Sequence, residues 1–317
     1  MTRAVPPLRV LISCPPMLGM VDEFRPGFAA HGVEIDWADV VQTLTEEQLL
    51  RMIPAYDGWI IGDDPATARV FEAGRAGRLK AAVKWGVGID NVALDAARRL
   101  GIAVTHTPGM FGREVADIAM GYVTATARGT FQIDRAVRSG GWPKPRGISL
   151  KEKKAGVVGF GDIGRNTATR LLAAEMAVFA YDPAARPEAL PSGVTLRVWP
   201  ARLEDLDFLV FTCSLNEDNV HMFNRKIMAR CKHGVRVVNV SRGRLIDEAA
   251  LADALVSGQV HSAALDVMER EPLPVDSPLR RFENCLFGSH NASNTTEAVR
   301  AASERAMNEL FRMLGVA

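Results

Sequence analysis

Only 4 of the 317 residues are cysteine, and Cys14, Cys213, Cys231 and Cys285 stand far apart with no CxxC pair among them. That spacing argues against a zinc site and against a disulfide framework, so the thiols are expected to be free and buried in a reducing compartment. Apolar stretches are short, and none approaches the roughly 20 residues that span a bilayer. The opening MTRAVPPLRVLISCPP carries a brief apolar run, but prolines interrupt it and it is too short for a secretory core. A cytoplasmic location is the expectation. Neither sign of charge prevails: 38 Lys and Arg against 37 Asp and Glu leave a formal net charge of +1, scattered along the chain. Nucleic acid and membrane surfaces thereby lose their usual electrostatic footprint, and a small molecule becomes the expected partner.

What is present is an alternation of strand-like and helix-like segments, in a chain long enough for two cores. LRVLIS (8–13), VEIDWA (33–38), GWIIG (58–62), LKAAVKW (79–85) and GIAVTH (101–106) read as strands bounded by Gly, Pro or Asp. Between them, Thr45 with Gln48 opens TEEQLLRMI as a capping box. Residues 113–138 carry the longest helical periodicity, which predicts a single helix that joins or spans two domains, and SGGWPKPRG (139–147) reads as a linker.

A second alternation begins at AGVVGFG (155–161) and runs through MAVFAYD (176–182), DFLVFTC (207–213), VRVVNV (235–240), SAALDV (262–267) and NCLFGS (284–289). These runs are apolar on both faces, as strands covered by helices on two sides must be. A doubly wound parallel sheet follows. The closing segment 295–314 is an amphipathic helix expected to pack back onto the first domain.

Gly159, Gly161 and Gly164 form GxGxxG directly after a strand and at the start of a helix. In that setting the first glycine permits the tight turn, the second lets backbone approach a pyrophosphate, and the third allows close helix packing. Asp162 and Ile163 complete the loop. Asp182 ends the next strand, where a carboxylate accepts the adenosine ribose hydroxyls of NAD, although an aspartate before Pro183 also suits a plain turn. Cys213 and Ser241, at the ends of later strands, join the expected cofactor set.

Open α/β sheets bind ligands outside the carboxyl ends of their strands. Arg242 follows 235–240, Asp266 and Glu271 follow 262–267, and His290 follows 284–289, so all four are expected to face one crevice. A guanidinium there suits a carboxylate, held by two parallel hydrogen bonds. Imidazole exchanges protons near neutral pH, and a glutamate on its far nitrogen would fix its tautomer. Together these point to hydride transfer coupled to proton transfer on a 2-oxo or 2-hydroxy acid. His31, His106, His221, His233 and His261 lack such company and read as surface or turn residues.

With KWGVGIDNV (84–92), TPGMFGREVAD (107–117), VVGFGDIGR, VNVSRGRLIDEAAL, ALDVMEREPL (264–273) and SHNASN (289–294) in this order, the chain resembles the D-isomer-specific 2-hydroxyacid dehydrogenases over nearly its whole length. The resemblance implies an α/β fold: a doubly wound (Rossmann) NAD-binding domain at 105–291 and a smaller flavodoxin-like substrate domain from 1–104 and 292–317. It implies Arg242 as the residue holding the substrate carboxylate, Glu271 as the support of the histidine, and His290 as the acid/base. Asp266 would meet the nicotinamide carboxamide, and the backbone of Val87 and Gly88 the substrate carboxylate. A homodimer is implied too, with 113–138 and the GGW linker near the two-fold and Trp142 reaching the neighbouring active site.

The sequence departs from that pattern where substrates are told apart. Ser289 and Asn291 flank His290, Phe111 stands where many members have asparagine, and the first-domain loop reads GDDPAT (62–67). Asp63 and Asp64 are expected to bring negative charge toward the substrate and Phe111 an apolar face, favouring glyoxylate or hydroxypyruvate over a phosphorylated acid. Two alternatives stay open: a D-3-phosphoglycerate dehydrogenase using Lys144 or Arg146 for the phosphate, and an NADH-sensing regulatory protein without a catalytic role.

Overall fold

The computed structural model describes residues 7–317, which divide into two units. One runs to Met110 and resumes at Asn294–Ala317; the other is Phe111–Ser293.

The first unit is built on five strands: β1 (Leu8–Ile12), β2 (Val33–Trp37), β3 (Gly58–Ile61), β4 (Ala81–Lys84) and β5 (Ala103–His106). Their order is β2-β1-β3-β4-β5 and every neighbouring pair is parallel, the flavodoxin-like arrangement. β3 and β4 are buried along their whole length, which is why their sequences are apolar without alternation up to Lys84, the buried lysine that closes β4. The capping box forms as its spacing requires: Gln48 N–H donates to Thr45 Oγ1 at 3.2 Å and Thr45 N–H to Gln48 Oε1 at 2.8 Å. The last helix, Thr296–Leu314, packs within this unit. Phe311 meets Phe28 edge-on at 5.3 Å between ring centroids, and the Trp85 indole donates to Ser303 Oγ at 3.0 Å.

The second unit holds β6 (Lys154–Val158), β7 (Ala177–Tyr181), β8 (Val194–Arg197), β9 (Phe208–Phe211), β10 (Val235–Asn239), β11 (Val260–Leu265) and β12 (Cys285–Phe287). The order is β12-β11-β10-β9-β6-β7-β8, parallel throughout. The chain winds outward from β6 in one direction through β8, then returns to β9 and winds in the other. The crevice between β6 and β9 is therefore the switch point at which such sheets bind ligands.

Two expectations on local structure are corrected. Residues 113–138 are not one helix but two, Gly112–Arg128 and Thr130–Arg138, both inside the second unit. Gly129 separates them at φ +62°, a left-handed conformation in which its N–H caps Ala125 O at 2.8 Å. β8 had no counterpart among the expected strands, because VTLR at a sheet edge is only half-buried and carries no apolar run. Of the four free cysteines, Cys14, Cys231 and Cys285 are buried as expected, whereas Cys213 is partly exposed at the end of β9.

Candidate active site

The glycine loop leaves β6 and enters the helix Asp162–Ala173. Gly159 sits at φ +91°, and a side chain there would run into the backbone of Cys213. A Cβ on Gly164 would overlap the Gly159 carbonyl, so this glycine is what lets the helix close on the loop. Gly161 differs: its φ is −72° and a Cβ would meet nothing within 4 Å. The chain has no internal need for glycine at that point, and the room in front of a helix N-terminus is what a pyrophosphate requires. The loop thus fits a dinucleotide. Asp162 lies against Gly112 and accepts from Asn166 Nδ2 at 3.1 Å, while Ile163 is half-buried on the first turn.

Asp182 ties β7 to this loop. Its Oδ2 accepts the Phe160 N–H at 2.6 Å, and its Oδ1 accepts the Ala184 N–H at 2.8 Å in an Asx turn. A carboxylate has about four lone-pair sites, so this bracing role is compatible with ribose hydroxyls. On the β9 side of the switch point the Ser241 hydroxyl donates to the Cys213 carbonyl, joining the ends of β9 and β10. Burial, with the Asp182 charge adding to it, pushes the Cys213 thiol up to about 12, which makes it a poor nucleophile at neutral pH.

Beyond β10 the chain turns sharply. Asn239 Nδ2 donates to the Arg242 carbonyl at 2.9 Å, the Ser241 N–H returns to Asn239 Oδ1 at 3.1 Å, and Arg242 Nη1 donates to the Ser241 carbonyl at 2.9 Å. Gly243 then presses on the next strand end: a side chain there would overlap the Met268 carbonyl. Glu248 N–H and Glu269 N–H donate reciprocally to each other's carboxylates at 2.8 and 2.7 Å. His221 shares in this brace, with Nε2 at 3.2 Å from Glu269 Oε1, and so has company its sequence neighbours did not reveal.

Glu271 and His290 meet as the spacing of strand ends anticipates. His290 Nδ1 lies 2.8 Å from Glu271 Oε2, while Glu271 Oε1 accepts the Met268 N–H at 3.0 Å. His290 itself is at φ +56°, a conformation unusual for a residue with a Cβ. Asp266 holds that turn: its carbonyl accepts the His290 N–H at 2.7 Å, and its carboxylate accepts the N–H groups of Asn291 at 3.3 Å and Ala292 at 3.0 Å.

In the first unit, Gly86–Val87–Gly88 follows β4. Gly86 N–H donates to Thr107 Oγ1 at 2.8 Å and Thr107 N–H to Gly86 O at 3.1 Å, which shapes the turn and leaves Val87 exposed. The reading of Asp64 as a charge turned toward a substrate is corrected. Asp64 is 0% exposed and organises the loop from within, accepting from Ser13 Oγ at 2.5 Å, Leu44 N–H at 2.8 Å and Gly62 N–H at 3.1 Å. Asp63 instead pairs with the buried Lys84, at 3.0 Å. Phe111, expected to offer an apolar face, is itself buried at the start of the helix Gly112–Arg128.

Residues 120–292 match the family described as D-isomer specific 2-hydroxyacid dehydrogenase, NAD binding domain. A hydroxypyruvate reductase of Thermotoga maritima is 36% identical over 279 residues, covering 86% of this chain and 90% of that protein. The chain belongs to the D-isomer specific 2-hydroxyacid dehydrogenases. A D-3-phosphoglycerate dehydrogenase of Archaeoglobus fulgidus is 34% identical over 92% of this chain, a match that spans 54% of that protein. Among solved structures, a glyoxylate reductase from Paecilomyes thermophila superposes with a TM-score of 0.83 at 25% identity, over 98% of this chain and 96% of the other.

As a 2-hydroxyacid dehydrogenase the protein is an oxidoreductase, its cofactor is NAD, and the family's substrates are small 2-oxo and 2-hydroxy acids. Among the described residues, no helix is long and apolar enough to cross a membrane. Three residues that shape this dehydrogenase's strand ends were not singled out from the sequence: Asn239, Gly243 and Gly288. Asn239 ends an apolar strand and Gly288 directly follows one, which is the signal that marks them, whereas Gly243 comes after Ser241 and Arg242 and no such run marks it.

Proposed function

We propose that the protein interconverts a small, unphosphorylated 2-oxo acid and its D-2-hydroxy acid, with His290 as acid/base, Glu271 as its support and Arg242 on the substrate carboxylate. The observation that carries this reading is the 2.8 Å contact between Glu271 Oε2 and His290 Nδ1 at the carboxyl ends of a dinucleotide-binding sheet. With Nδ1–H given to Glu271, Nε2 is the nitrogen that exchanges a proton with substrate. In reduction His290 protonates the carbonyl oxygen as the second carbon gains a hydride; in oxidation it takes that proton back from the hydroxyl. NAD supplies and receives the hydride. Arg242 orients the acid through two parallel hydrogen bonds.

Asp182 is assigned to the adenosine ribose, and Gly159, Gly161, Asp162, Ile163 and Gly164 to the pyrophosphate. Cys213, Ser241 and Asp266 complete the cofactor set, Asp266 toward the carboxamide. For Val87 and Gly88 the proposal is a backbone contact to a substrate carboxylate. The preference for an unphosphorylated acid is supported by the Lys84–Asp63 pair, which already neutralises a cation at a strand end, and by a relative named as a hydroxypyruvate reductase. A homodimer is supported by the exposed Phe131, Val137 and Trp142.

Steady-state NADH oxidation with glyoxylate, hydroxypyruvate, pyruvate and 3-phosphohydroxypyruvate tests the reading. A higher specificity constant for the unphosphorylated acids agrees with it. Preference for the phosphorylated one assigns the protein to phosphoglycerate oxidation, and NADH binding without turnover of any acid assigns it to sensing.

A further inference from the structure

Tyr122 stands on the helix Gly112–Arg128, an element that has no part in the chemistry above. Its hydroxyl and the Asp266 carboxylate converge over Gly288, with the phenol as a hydrogen-bond partner of that carboxylate. Burial pushes the phenol well above its ordinary range, and the charge of Asp266 and the hydrogen bond to it push further in the same direction, so Tyr122 is a protonated donor at any pH at which the enzyme works. Gly288 makes the approach possible: a Cβ there would fall on Asp266 Oδ1 and lie 2.6 Å from the Tyr122 hydroxyl oxygen. Asp266 is only 2% exposed, so its carboxylate depends on protein donors. Two of these are the N–H groups of Asn291 and Ala292, immediately after His290. The left-handed backbone of His290 is a conformation that persists only where its surroundings hold it.

We propose that Tyr122 is a positioning residue for the acid/base: its phenol holds the Asp266 carboxylate on the 291–292 amides, and this keeps His290 in the turn that sets its imidazole against Glu271. The inference rests on the proposed role of His290. Three titratable groups face Asp266: Tyr122 from the Gly112–Arg128 helix, His290 from the turn after β12, and Glu271 from its own loop. Burial raises the Asp266 carboxyl, the Ala292 and Asn291 N–H groups and the His290 charge draw it down, and Glu271 raises it, with a net upward displacement. Removing the phenol takes a donor from the anion. Asp266 then protonates at higher pH, and its grip on the two amides is lost earlier on acidification.

The test compares the full-length wild-type chain with Tyr122→Phe, which keeps the ring and deletes the donor. Losing one hydrogen bond to a charged group predicts kcat lower by about tenfold and an acidic limb of the pH profile displaced upward by about one unit. Amide hydrogen exchange at Asn291 and Ala292 is expected to accelerate in Tyr122→Phe. A fall in Tm with unchanged kcat, pH profile and exchange overturns the proposal and leaves Tyr122 as packing. Site-specific 3,5-difluorotyrosine at position 122 retains the shape with a more acidic phenol and serves if the phenylalanine variant does not fold. A stronger donor is expected to move the acidic limb downward, and an unmoved limb overturns the proposal. Exchange is read without turnover, so a wild-type chain inactive on every 2-oxo acid removes the functional reading separately from the Tyr122–Asp266 contact.

Discussion

Glu271 divides its carboxylate between two partners: Oε2 stands 2.8 Å from His290 Nδ1 and Oε1 accepts the Met268 N–H at 3.0 Å. One side chain therefore shapes its own turn and fixes the tautomer of the imidazole. Glu271→Gln keeps a single acceptor oxygen and so satisfies only one of the two donors. We expect it to lower kcat by about tenfold, the scale of one hydrogen bond to a charged group, and Glu271→Ala by about a hundredfold. Steady-state kinetics beside an NADH fluorescence titration checks this; NADH affinity should change little in either variant.

Two glycines separate folding from cofactor binding. Gly243→Ala forces a Cβ onto the Met268 carbonyl and is expected to cost at least about 1–3 kcal/mol, as overpacking does. Gly161→Ala meets nothing within 4 Å at an ordinary φ of −72°, so its Tm should match wild type. Its NADH dissociation constant should nevertheless rise severalfold, because the methyl occupies the room left for the pyrophosphate. Thermal melts and NADH titrations on both variants read the contrast, and an unaltered NADH affinity in Gly161→Ala speaks against the cradle.

Asp182 serves the loop and the choice of dinucleotide at once. Asp182→Ala leaves the Phe160 and Ala184 N–H groups without their acceptor, a loss of about 1–3 kcal/mol where such donors are buried. It also removes the charge that would face the extra phosphate of NADP, a repulsion of up to about 4 kcal/mol at 4 Å and an effective dielectric of 20. The ratio of kcat/KM for NADH to that for NADPH should fall in the variant while both absolute values drop. A wild-type chain with equal efficiency on both cofactors contradicts the assignment.

Acid stability should depend on Asp57 in the first unit. Burial pushes its carboxyl up, but the Arg9 N–H at 3.0 Å, Lys80 at 3.1 Å and Arg78 at 2.6 Å outweigh this and hold it below the ordinary carboxylate range. An unfolded aspartate titrates near pH 3.9, roughly, so the ionised form favours the fold. That contribution is complete above the unfolded value and disappears as pH falls through the lower native one. The Tm difference between wild type and Asp57→Ala should therefore be largest near neutrality and shrink below about pH 4. A difference constant with pH argues that the carboxylate acts by shape alone.

Much of this is legible in the sequence because strands sandwiched between helices are largely apolar, and ligands gather where such strands end. Those two constraints put Arg242, Glu271 and His290 after successive strands, and the last two meet there. What escaped has a physical reason in each case. Gly129 breaks a helix whose periodicity continues on both sides, so the apolar stripe hides the left-handed residue. β8 borrows its stability from β7 and from Arg197 stacked 3.5 Å over the Phe179 ring, not from an apolar run. Adjacent Asp63 and Asp64 read alike in sequence, yet one folds inward onto Ser13, Leu44 and Gly62 while the other pairs with Lys84. Tyr122 and Gly288 find Asp266 only through tertiary packing, which no local pattern announces.

The most direct measurement is the specificity constant for hydroxypyruvate of the wild-type chain and of His290→Gln, determined side by side with NADH carrying deuterium at its transferable position. The account predicts deuterium at the second carbon of a D-hydroxy acid product from the wild-type chain. In His290→Gln it predicts turnover lower by about a hundredfold or more, the scale of a lost general acid, with NADH binding retained. Near-normal turnover in His290→Gln, or no label in the product of the wild-type chain, contradicts it.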